Sequence, residues 1–208
     1  MVIDDFERAV ARALRLAEDG RRTVLGIVGP PGGGKSTLAE LVVAALGDRA
    51  ALVPMDGFHL SQPELVRLGR RERMGAPDTF DAAGYVALLA RLRSGEDEVV
   101  YAPVFRREIE EPIAGAIAVP RAVPLIVTEG NYLLHDEGDW ARVRPLLDEA
   151  WYVEMDEDTR LRWLIQRHID FGKAPAEARA WVMRSDQANA AVVAATRDRA
   201  DAVVRLAT

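Results

Sequence analysis

The chain contains no cysteine among its 208 residues. Disulfides and thiolate metal sites are therefore excluded. No apolar run approaches the roughly eighteen residues that would suggest a membrane-spanning helix. The opening stretch MVIDDFERAV is acidic and lacks the pattern of a secretory signal, so a cytoplasmic location is expected, with no membrane partner. Positive charge is in deficit. Lys and Arg number 27 against 33 Asp and Glu, a net charge of -6. Phosphate backbones need a basic surface, so a general nucleic-acid binder is not expected, although a local basic pocket for a small anion is compatible with this balance. The tetrapeptide pattern N-K-x-D, which guanine-specific switches usually carry, does not occur. Repeats, low-complexity tracts and linkers are absent too, and one domain over residues 1–208 is expected. The four tryptophans are scattered, and core packing is the default reading of each.

What is present alternates between two periods. Phe6, Val10, Leu14 and Ala17 have helical spacing over Asp4–Glu18. TVLGIVG (Thr23–Gly29) reads as a short buried strand, and LAELVVAAL as a helix closed by Gly47. AALVP predicts a second buried strand ending at Met55 and Asp56. Further helices are predicted over Phe80–Leu92, Trp140–Glu149 and Asp158–Phe171, and from Pro175 toward Arg199. Further strands are predicted at Val99–Phe105, PLIVTEG, AWYVEM and DAVVRL, with a hairpin-like excursion over RREIEEPIAGAIAVP. Buried strands alternating with helices predict an α/β three-layer sandwich with a mainly parallel, five-stranded sheet.

The segment GPPGGGKST joins the first buried strand to a helix. Gly29, Gly34, Lys35 and Ser36 match G-x-x-x-x-G-K-[ST], the phosphate-binding loop of P-loop NTPases. Glycines let the backbone curl so that its N–H groups face a phosphate, and the helix adds its positive end. The nucleotide-binding candidates are Gly29, Gly32, Gly33, Gly34, Lys35, Ser36 and Thr37. Lys35 is expected on the outer phosphates and the Ser36 hydroxyl on Mg2+.

Asp56, in LVPMDGFHLS, falls at the carboxyl end of the second predicted strand, the edge where open α/β sheets bind ligands. A hydroxyl attacking a γ-phosphate must lose its proton, and a carboxylate within reach can take it. In the plainer alternative Asp56 caps a turn, and Phe58 and His59 pack locally. Gly57 is expected to permit a sharp turn, and Phe58 and His59 to line an acceptor pocket.

MDGFHL, RMGAPDTFD, YAPVF, TEGNYLL and DTRLRWLIQRHIDFGK occur in an order that resembles the P-loop kinases of the phosphoribulokinase, uridine kinase and pantothenate kinase group. The resemblance runs from about Thr23 to Val204, and EEPIAGAI is similar to bacterial proteins called fructose-transport-system kinases or uridine-kinase-like. It implies an ATP- and Mg2+-dependent kinase in which Asp56 is the base and Glu129 sits near magnesium and the attacking hydroxyl. It implies a helical lid over roughly residues 158–175, with Arg160 and Arg167, seven residues apart on one helix face, neutralising the transferring phosphoryl group. Trp163 and Leu164 stand where uridine kinases typically carry two further arginines.

Asn131, Tyr132, Arg107 and Asn189 join Phe58 and His59 as acceptor-side candidates, and Arg71 and Arg73 either meet an anionic acceptor or are solvated. Asp78 and Asp81 either cap the following helix or bind ligand, and His168 reads as a structural or surface histidine. The expected activity is phosphoryl transfer to a hydroxyl of a small metabolite, a sugar or nucleoside, and the group often forms dimers. The alternatives are a pantothenate-kinase-like activity and a nucleotide-dependent switch or assembly ATPase without a small acceptor.

Overall fold

Two apolar runs become the central strands because helices cover both of their faces: every residue of Thr23–Val28 and of Leu125–Gly130 is buried. The computed structural model describes residues 1–18 and 20–205. In chain order its regular elements are β1 (Val2–Ile3), α1 (Phe6–Ala17), β2 (Thr23–Val28), α2 (Lys35–Leu46), β3 (Ala50–Leu52), α3 (Gln62–Arg67), α4 (Ala82–Ser94), β4 (Val99–Arg106), β5 (Glu111–Pro120), β6 (Leu125–Gly130), β7 (Glu149–Val153), α5 (Glu157–Asp170), α6 (Pro175–Trp181), α7 (Gln187–Ala194) and β8 (Ala202–Val204). Short single turns fill several connections.

The main sheet has six parallel strands in the order β1-β8-β7-β2-β6-β3. One core lies under α1 and α2, where Ala9, Ala13 and Ala17 meet Leu25, Ile27, Val127 and Trp151. These alanines let α1 approach the sheet closely, and the larger Phe6, Val10 and Leu14 flank the contact. The opposite core gathers Tyr85, Leu89 and Leu92 of α4, Trp140, Val193 of α7, and Val100 and Ala102 of β4. The three-layer α/β sandwich is therefore observed.

The sheet has six strands where five were expected. The extra strand, Val2–Ile3, is too short to show a period and is fixed by its parallel register with Val203 and Val204. Val99–Phe105 forms a strand, but outside the main sheet. It pairs with β5 as an antiparallel hairpin whose register shifts between Ala102 and Val104, flanking Pro103, which has no N–H to give. Trp140–Glu149 is not a helix. Gly138–Arg142 and Arg144–Leu146 form single turns, Pro145 interrupts the hydrogen-bond ladder, and Glu149 already begins β7. The helix expected from Pro175 divides into α6 and α7 around one π-turn, Val182–Asp186. The last predicted strand extends to Leu206, which lies outside the described residues.

Candidate active site

The phosphate loop follows β2 at the centre of the sheet's carboxyl edge. Gly32 and Gly34 have φ of 76° and 83°, the left-handed region that a side chain resists. A Cβ on Gly32 would also lie 3.0 Å from Leu164 Cβ of α5. Gly29 packs against the Val153 carbonyl of β7, and Gly33 closes the loop by donating its N–H to the Pro30 carbonyl at 2.9 Å. Lys35, Ser36 and Thr37 begin α2, whose first-turn amides face the same space. Lys35 is half-buried, with Nζ 3.4 Å from the Pro30 carbonyl oxygen. Burial lowers its pKa, and the charges of Glu129 and Asp56 partly offset that effect.

Asp56 leaves β3 through a single turn, Met55–Phe58, and its carboxylate lies in the same cleft as Lys35 and Ser36. Gly57 is needed there for proximity rather than for turning. Its φ is not in the left-handed region, and a Cβ would sit 2.5 Å from the Pro103 carbonyl oxygen of β4. The hairpin thus rests directly on the Asp56 turn. Arg107, at the end of β4, donates to Asp56 Oδ2 at 3.2 Å. Burial pushes the Asp56 carboxyl up, but His59, Arg107, Lys35 and Arg167 together hold it below its ordinary value. Glu129, at the end of β6 and 5% exposed, behaves oppositely. Burial and the Asp56 charge raise its pKa to about 7, against the pull of Lys35, Ser36 and Arg107. Two carboxyls in one site are thus driven apart, with Asp56 the ionised one.

His59 stacks between Phe80 and Phe105, at centroid distances of 4.0 and 4.5 Å. Burial lowers its pKa, so it is neutral near pH 7. Its Nδ1 lies 2.7 Å from the Asp56 carbonyl oxygen, which can only accept, so Nδ1 carries the proton and Nε2 is left as an acceptor. Asn131 lines the same cleft, and its buried Oδ1 has no hydrogen-bond partner. Asn189 is 6% exposed and reaches the cleft from α7. Arg167 enters from α5 and, among the described residues, its guanidinium makes no ion pair or hydrogen bond to protein; burial lowers its pKa.

Some predicted residues lie elsewhere. Phe58 and Tyr132 do not line the cleft: Phe58 packs on Tyr85 at 5.2 Å, and Tyr132 is buried with its hydroxyl donating to the Gly75 carbonyl at 2.5 Å. Arg160 points away from Arg167's cleft. It is 2% exposed, donates to the Pro31 carbonyl at 2.9 Å, pairs with Glu157 at 2.8 Å and bonds Gln187. Arg160 therefore ties α5 to the phosphate loop and α7. Asp81 caps α4 by accepting from Gly84 N at 2.8 Å, whereas Asp78 pairs with Arg73 and Arg70. His168 bonds Asp186 at 2.9 Å within the cleft wall.

Sequence reasoning missed Phe80, Phe105, Glu110, Lys173, Trp181 and Asp186, which line the cleft. Asp186 sits in the π-turn that leads into α7, and a π-turn leaves no period in a sequence. The others are delivered by long-range packing.

The donor set suits magnesium. Ser36 lies against the Glu129 carboxyl and favours its ionised form, placing two hard oxygen ligands together beside Lys35. Among the described residues no group of three or more acidic or histidine side chains gathers to cage an ion.

A chain of this topology, with a glycine loop, a loop lysine and serine, two strand-end carboxyls and a helix leaning over them, has the architecture of a P-loop kinase. No family model matches the chain. A Schizosaccharomyces pombe protein named "Putative uridine kinase" is 30% identical over 194 residues, covering 89% of this chain and 82% of that protein. A solved structure described as "putative fructose transport system kinase" from Silicibacter sp. TM1040 superposes with a TM-score of 0.85 at 36% identity, covering 94% of this chain and 97% of the other. Pantothenate kinase of Streptomyces avermitilis is 31% identical over 162 residues, 73% of this chain but 49% of that enzyme. The chain belongs to the P-loop kinases of the uridine kinase and pantothenate kinase group.

Proposed function

We propose that the protein transfers the γ-phosphoryl group of ATP to a hydroxyl of a small metabolite, a sugar or nucleoside. The observation that carries this reading is the Asp56 carboxyl in one cleft with Lys35 and Ser36 of the phosphate loop, where neighbouring cations hold it below its ordinary pKa. A nucleotide switch needs the loop and one strand-end carboxyl for its magnesium, a place Glu129 can fill; it does not need a second carboxyl, Asp56, in the same cleft.

In this reading the acceptor displaces Arg107 from Asp56, and its hydroxyl proton passes to the carboxylate as the oxygen attacks the γ-phosphorus. The bond from that phosphorus to the β–γ bridging oxygen breaks, and ADP leaves. Lys35 and Arg167 stabilise charge growing on the phosphoryl oxygens. Ser36 and Glu129 would hold Mg2+, which would supply electrostatic neutralisation of phosphate charge. Arg160 is assigned a positioning role through the Pro31 carbonyl. Asn131 Oδ1 is a buried acceptor without a partner, which costs about 1–3 kcal/mol, and His59 Nε2 is a second acceptor in the cleft wall. A substrate with donors beside the reacting hydroxyl satisfies them, which favours a polyol or nucleoside sugar.

The test is ADP release with Mg-ATP and a panel of sugars, nucleosides and pantothenate, each against a blank without acceptor. One compound raising turnover by orders of magnitude supports the reading and identifies the acceptor. A uniform background across the panel counts against it and favours the switch.

A further inference from the structure

Helix α5 presents Arg160, Trp163, Leu164 and Arg167 at spacings of three and four residues, so they share one stripe. Three have clear tasks. Arg160 holds the phosphate loop, Leu164 is fully buried against Gly32, and Arg167 enters the acceptor cleft. Trp163 is 52% exposed and, among the described residues, makes no hydrogen bond or ring contact. The other tryptophans are accounted for. Trp140 Nε1 donates to the Pro77 carbonyl at 3.0 Å, Trp151 Nε1 to Glu149 at 2.8 Å, and Trp181 lies under Lys173 and Arg184.

Trp163 faces a second crevice, lined by the loop from Gly32 to Thr37 together with Leu164 and Arg167. This crevice shares Lys35, Ser36 and Arg167 with the acceptor cleft, but none of Asp56, His59 and Asn131. A nucleotide whose terminal phosphate meets the acceptor over Lys35 must send its base out on the loop's other side. That is where the crevice opens, and a half-exposed indole there offers a large flat apolar face.

We propose that Trp163 is the platform on which the base of the donor nucleotide stacks. The inference rests on the reading of the loop as a nucleotide-phosphate site. Stacking uses the π-face that every base has and reads none of its edge, so this contact serves adenine and guanine alike.

The test is calorimetric titration of ATP, GTP and inorganic tripolyphosphate, each with magnesium, into wild type, Trp163→Ala and Trp163→Phe. The expected result is that Trp163→Ala weakens ATP and GTP about tenfold each and leaves tripolyphosphate unchanged, while Trp163→Phe recovers most of the loss. Wild-type affinity for ATP in Trp163→Ala would overturn the proposal, as would an equal loss for tripolyphosphate. Wild type that binds neither ATP nor tripolyphosphate would overturn the phosphate-loop reading itself, and this one with it.

Discussion

Asp56 and Glu129 are both strand-end carboxyls, yet their surroundings move their pKa values in opposite directions. Asp56 keeps 26% of its side chain exposed and has Arg107 in contact, whereas Glu129 is enclosed and shares its site with the Asp56 charge. Asp56→Asn keeps the shape and removes the base. ATP affinity is expected to stay within about twofold while turnover with acceptor falls about a thousandfold. Steady-state kinetics beside calorimetry check this, and unchanged turnover would remove Asp56 from the chemistry. Glu129 supplies a pH signature. Its pKa of about 7 in the fold lies above the ordinary 4.5, so its contribution favours folding below pH 4.5 and is lost as pH rises through 7. Nucleotide-free Glu129→Gln is therefore expected to be more stable than wild type by about 3 kcal/mol at pH 8, with the gap closing toward pH 4.5. Melting curves at the two pH values decide it, and a gap independent of pH would contradict the assignment.

At the scale of elements, the site depends on how α5 and the β4–β5 hairpin lie against the loops they serve. The spacing of Arg160 to Arg167 set the two on one helix face and the family resemblance implied a lid role for both, but the direction of Arg160 was not legible. Seven residues place two side chains on one face without showing which meets substrate and which meets protein. The Pro31 carbonyl and Gln187 settle it, and both are remote in sequence, at separations of 129 and 27 residues. Arg160→Ala strips a donor from the buried Pro31 carbonyl and is expected to cost about 2 kcal/mol of stability. It should also weaken tripolyphosphate binding, the readout that separates holding the loop from touching the acceptor. Gly57 was read as a turn residue and proves to be a contact residue. Gly57→Ala sets a methyl group against the Pro103 carbonyl and is expected to cost about 1–3 kcal/mol. Denaturant titration measures it, and wild-type stability would show that the hairpin moves aside freely.

Over the whole molecule, the parallel α/β architecture was readable because buried strands and amphipathic helices alternate with distinct periods. The phosphate loop was readable because its chemistry requires fixed residue types at fixed spacing. The edge strand Val2–Ile3 and the far wall of the cleft were not, since β1 exists only through Val203 and Val204, and Lys173, Trp181 and Asp186 reach the site only when α5 to α7 fold back. Both cores pack against opposite faces of the same sheet, sharing β2, β6 and β7. One cooperative unfolding transition is therefore expected, shifted upward by about 2.7 kcal/mol at ATP a hundredfold above its Kd. Two resolved transitions in a calorimetric scan would contradict that unity.

The most direct measurement follows the phosphorus itself. Mg-ATP, the protein and the acceptor that raises turnover are observed together by 31P NMR. The account predicts a new phosphate-ester resonance that grows as the γ-phosphate signal falls, and that is absent with Asp56→Asn. Growth of inorganic phosphate alone would contradict it, because water rather than a bound hydroxyl would then be taking the phosphoryl group.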